Sequence, residues 1–82
     1  MATSDAIRMK ILDVANTEYP ASVSRVFPIQ AIKNVAETEI NREVFYLKER
    51  GLLQLFGELE SSWIELRITP DGIDIVEGKS SL

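Results

Sequence analysis

The chain reads as a single α+β domain: a three-helix bundle, a two- to three-stranded antiparallel wing over its open side, and a short C-terminal helix. Three observations predict this. The 82 residues allow one domain and no more. Apolar residues recur at helical spacing at Ile7, Ile11, Val14 and Ala15, and again at Ile40, Val44 and Leu47. Between residues 63 and 69 the period changes to two, with Ile64, Leu66 and Ile68 on one side and Trp63, Glu65 and Arg67 on the other.

The first helix is expected over about residues 5–18. Ser4 can cap it, Asp5 places negative charge in its first turn, and Leu12 lies beside the inward stripe. Pro20 stands just beyond its end. Residues 21–27 form an irregular or extended stretch in which the β-branched Val23 and Val26 allow a brief strand. Pro28 suits the first position of a second helix of about two turns, with Ile29, Ile32, Val35 and Ala36 on its apolar side. Thr38 is the expected cap of a third helix over about residues 39–50, which Gly51 ends. Residues 52–56 and 63–69 then make a hairpin, with a loose tip at 57–62. Thr69-Pro70 is a cap and first-turn pair for a last helix that turns Ile73 and Val76 inward. Residues 1–78 form the domain and 79–82 a loose tail. A bundle and a hairpin share one core only if the hairpin covers an open edge of the bundle.

Composition narrows the chemistry. With no Cys there is no disulfide and no thiolate, and with no His the commonest general base and transition-metal ligand are missing. No nucleophile–base arrangement and no glycine-rich phosphate loop is visible, so no catalytic residue, no metal, no cofactor and no small-molecule substrate is expected. The acidic pairs Glu58 with Glu60 and Asp71 with Asp74 lack the ligand count of a calcium loop and read as solvated charge. No run approaches the length of a membrane span and no signal peptide is apparent, so a cytoplasmic location and no membrane partner are expected. The net charge of −4 is of the wrong sign for a nucleic-acid binder, although a local basic patch can still act.

The element order and two segments resemble the winged helix-turn-helix superfamily. Tyr46-Leu47-Lys48-Glu49-Arg50-Gly51-Leu52-Leu53 looks like the end of a recognition helix running through a glycine into the first wing strand. Arg67-Ile68-Thr69-Pro70-Asp71-Gly72-Ile73 is similar to the Thr-Pro-x-Gly junction that follows the wing in many bacterial and archaeal regulators, including the multidrug-resistance regulator type. Small bacterial proteins of the YjcQ type look similar in size and layout. In physical terms Gly51 marks a sharp turn, and Thr69-Pro70 the change from strand to helix.

The resemblance implies a DNA-binding module of a transcriptional regulator, with residues 39–50 as the recognition helix and a homodimer as the working form. Its early residues would meet base edges: Arg42 a guanine, Asn41 an adenine. Lys48, Lys33 and Arg25 would approach phosphates, and Phe45 lies on the same outer face. The charge pattern opposes this reading. Glu39, Glu43 and Glu49 cancel Arg42, Lys48 and Arg50, and the wing carries Glu58, Glu60 and Glu65 with no Lys or Arg between residues 52 and 66. A phosphate backbone would repel such a wing. The alternative is a protein–protein interaction module that does not bind DNA. There Phe45, Tyr46 and Trp63 are the candidate partner-binding residues. Phe45 either folds against the short strand or forms a patch with Tyr46, and Trp63 is either a lid on the third helix or an interface anchor.

Overall fold

The computed structural model describes residues 4–24, 32, 35–56 and 65–82. Helix α1 spans Ser4–Glu18 and buries Ile7, Ile11, Leu12 and Ala15. The inward stripe is as the spacing predicts, with Leu12 fully buried beside it and Val14 half-buried at its margin. Ser4 belongs to the helix and is not a cap outside it.

Strand β1, Val23–Ser24, is the brief strand expected from the β-branched residues there. Of the second expected helix, Ile32 and Val35 are half-buried against the core. Most of the remaining residues of that segment lie outside the described ones. Ala36, expected on that helix's apolar side, is exposed and stands at the N-cap of the following helix.

Helix α2 spans Glu37–Glu49 and begins two residues earlier than Thr38 as a cap would place it. The amides of Glu39 and Ile40 both donate to the Ala36 carbonyl, and among the described residues no side chain caps the turn. Glu37 and Glu39 set negative charge in that first turn, which the positive end of the helix dipole favours. The other end closes firmly. The Gly51 amide donates to the Lys48 carbonyl and the Leu52 amide to the Leu47 carbonyl, with Gly51 at φ 75°. This pairing is a Schellman motif, and its left-handed position suits glycine.

Strands β2, Leu53–Phe56, and β3, Glu65–Ile68, pair antiparallel, as the hairpin reading expects. Leu53 faces Ile68 and Leu55 faces Leu66; on the other side β1 sets Val23 against Leu66. The sheet order is β1-β3-β2, so β3 is the central strand. Its inner residues, Leu66 and Ile68, are fully buried, while Gln54 and Arg67 pair on the outer face. The expected tip of the hairpin and Trp63 lie outside the described residues.

Helix α3, Pro70–Val76, starts where Thr69-Pro70 predicts. Its buried positions are Gly72 and Ile75; Ile73 and Val76, expected to be the inward pair, flank them and are half-buried. The reason is how closely this helix approaches the chain leaving α2. A Cβ built on Gly72 would lie 2.5 Å from the Leu52 carbonyl oxygen and 2.7 Å from Ile68 Cγ1. The Thr69 hydroxyl completes the junction, donating to the Gly51 carbonyl at 2.7 Å and accepting from the Gly72 amide at 3.2 Å. Beyond α3, Gly78 at φ 80° begins a second Schellman turn, in which Lys79 donates its amide to the Asp74 carbonyl. Leu82 packs partly against the core. The described residues thus form a small α+β domain of three helices and a three-stranded antiparallel open sheet around one apolar cluster. None of these helices is long and apolar enough to cross a membrane.

Candidate nucleic-acid interface

Helix α2 has a clear inner and outer side. Ile40, Glu43, Val44 and Leu47 are buried, at spacings of three and four. Arg42, Phe45 and Glu49 are exposed on the opposite side, as the periodicity predicts, and Asn41 is half-buried at its edge. The Arg42 side chain retains 70% of its accessible surface, and Phe45 is 40% exposed.

Glu43 offsets the Arg42 charge, as the charge pattern predicts, but its side chain is buried in the contact of α2 with α1. A buried carboxylate needs partners on both oxygens. Arg8 of α1 donates its Nε–H to Oε2, and Arg42 donates its Nε–H to Oε1 at 3.0 Å. Arg8 is itself largely enclosed. Its guanidinium lies over the Tyr46 ring, 3.6 Å from the centroid, and an Nη reaches Asp5 at 3.4 Å. Arg42 is steadied a second time by an Nη2 contact with Ser4 Oγ at 3.4 Å. Position 43 lies about 40° beyond Leu47 on the helical wheel, at the edge of the apolar stripe, and this adjacency is the one signal in the sequence for its burial.

Tyr46 therefore does not join Phe45 in an outer patch. Its ring packs partly against the core beneath Arg8, and its hydroxyl accepts from Arg50 Nη1 at 2.8 Å. Phe45 instead has Lys48 Nζ above its ring, 5.5 Å from the centroid, and Lys48 also pairs with Glu49 at 3.6 Å. On the sheet, Phe56 is 41% exposed with the Arg67 guanidinium over its ring. Each cation on α2 thus has a partner within the domain. Lys33, Arg25 and Trp63 lie outside the described residues, as do Glu58 and Glu60.

Asp71 and Asp74 are placed on α3, exposed and half-buried respectively, and no group of three or more acidic residues able to hold a metal ion occurs among the described residues. A shallow groove of about 320 Å³ between α1 and α3 is lined by Ala6, Met9, Lys10, Asp13 and Val76. It lacks the enclosed shape and convergent polar groups of a ligand site. No family model, curated protein or solved structure matches the chain.

Proposed function

We propose that this chain is a winged helix-turn-helix module that binds duplex DNA through the outer face of α2, as part of a transcriptional regulator. The observation that supports it best is the mounting of α2. Its inner side is locked into the core, its far end runs through a fixed turn into a hairpin strand, and its outer side offers Arg42 and Phe45 to solvent, with Asn41 half-buried at its edge. Helix-turn-helix domains enter the major groove with a helix held in this way. Arginine and asparagine are the residues suited to bidentate contacts with guanine and adenine, and an apolar ring suits the thymine methyl.

Electrostatics sets the character of the binding. The net charge is −4, and Arg42 and Lys48 each share their charge with a glutamate. Few phosphates can then be neutralised. With about three contacts the log–log salt slope is near −2.7. Useful affinity rests on base contacts, not on the backbone. The test is a titration with mixed-sequence duplex at about 20 mM salt, where phosphate contacts are little screened. Weak binding with a shallow salt slope is expected; no binding at high micromolar protein ends this reading.

A second reading is a protein-interaction module, working with a protein partner or as a homodimer. It is favoured by Phe45 and Phe56, both exposed at about two fifths of their surface. In that case Phe45→Ala weakens self-association or partner capture while duplex DNA is ignored.

A further inference from the structure

We infer that Glu43 is a positioning residue for Arg42, holding its guanidinium so that one defined edge is offered to a planar pair of acceptors, the O6/N7 edge of a guanine. This inference rests on the DNA-binding reading of α2. Glu43 itself touches no ligand, because its side chain is buried.

A guanidinium carries five N–H donors in a fixed plane, with no acceptor. In Arg42 the edge formed by Nε and Nη2 is already engaged: Nε with Glu43 Oε1 at 3.0 Å and Nη2 with Ser4 Oγ at 3.4 Å. Among the described residues no group engages the edge formed by Nη1 and the second Nη2 hydrogen, which is left for a ligand. Two anchors on one edge fix the plane of the group as well as its place. An unanchored arginine on a helix surface loses rotamer freedom when it binds, and this one has lost much of it beforehand.

Glu43 is also well built for the task. Its other oxygen is held by Arg8, whose side chain is only 17% exposed and is stacked on Tyr46. Arg8 pins the carboxylate from α1, and the carboxylate pins Arg42 from beneath. The acidic residue that weakens phosphate attraction therefore sharpens base recognition. This separates the two effects by sign. Removing its charge makes non-specific DNA binding equal or tighter, and it makes the choice of base poorer.

Glu43→Gln is the test. Gln has one oxygen acceptor, and the enclosed Arg8 is the less movable claimant, so Arg42 is released. Two measurements are made on wild type and variant. The first is ¹⁵Nε relaxation of Arg42 without DNA, which needs no knowledge of the ligand. An ordered Arg42 Nε–H is expected in wild type and a mobile one in the variant. The second is enrichment from a randomised duplex library, with Arg42→Ala as reference. Wild type is expected to favour a guanine at one position, Arg42→Ala to lose that preference, and Glu43→Gln to discriminate about tenfold less well. An Arg42 that is already mobile in wild type overturns the inference, even if the variant fails to fold. So does undiminished guanine preference in a folded Glu43→Gln. If Arg42 is ordered in wild type and released in the variant, yet no duplex is enriched by either, the positioning stands. The DNA-binding reading and the guanine assignment then fall together.

Discussion

Gly72 sits directly beneath the carbonyl of Leu52, so close that the smallest side chain would have to enter the space of that oxygen. The two residues belong to different helix ends, and their approach brings the start of α3 against the exit from α2.

Gly72→Ala is expected to destabilise the domain. Alanine normally improves a helix interior over glycine by about 0.5–1 kcal/mol. Here the added methyl meets backbone, which cannot swing aside, and overpacking costs about 1–3 kcal/mol. Urea denaturation should give a net loss; a gain in stability would show that the close approach is absent.

Thr69→Val removes the hydroxyl that joins the Gly51 carbonyl to the Gly72 amide. The loss of a cap and of a carbonyl partner is expected to cost about 1–2 kcal/mol. Thr69→Ser keeps the hydroxyl and should retain most of the stability. A larger loss from Thr69→Ser than from Thr69→Val would mean that the methyl group, not the hydroxyl, matters.

The two arginines on Glu43 are expected to differ. Arg8→Ala leaves a buried carboxylate with only an exposed partner and removes the cover of Tyr46, at a cost of about 3 kcal/mol. Arg42→Ala removes a largely exposed partner and should cost less than about 1 kcal/mol. Chemical denaturation of both variants decides the order; an Arg42 effect as large as that of Arg8 would contradict it.

Leu47→Ala is expected to cost about 2–5 kcal/mol, since the side chain is fully buried where α2 meets the core. Phe45→Ala, two positions earlier, should stay within about 0.5 kcal/mol of wild type. A large loss from Phe45→Ala would place its ring in the core.

Most of the described architecture could be read from periodicity and punctuation. The spacing of Ile7, Ile11 and Ala15 set α1, the alternation at Leu66 and Ile68 set β3, and Gly51 and Thr69-Pro70 set the ends of α2 and the start of α3. What escaped is one local helix start and two contacts between distant segments. Thr38 is a good cap locally, but the first turn of α2 closes on Ala36. Glu43 is a charged residue at the edge of the apolar stripe, and its burial depends on Arg8, brought across on another helix, which with Arg42 satisfies its two oxygens. Gly72 looked like one letter of a familiar junction; its physical reason is a carbonyl in β2's approach, far away in the chain. The outer face of α2 was legible from spacing alone, whereas the engagement of one edge of Arg42 required the fold.

The latch at Thr69 also bears on hydrogen exchange. Helix ends usually fray first, and their amides exchange through small local openings. At the end of α2, the Leu52 amide is held by Leu47, the Leu52 carbonyl holds the Thr69 amide, and Thr69 in turn holds the Gly72 amide. The hydroxyl bond between Thr69 and Gly51 ties the same turn across eighteen residues of sequence. Unwinding the last turn of α2 thus releases protons at the end of β3 and the first turn of α3. These amides are expected to exchange as one cooperative unit, with a common opening energy, so that the helix terminus most prone to breathe becomes a welded joint of the domain.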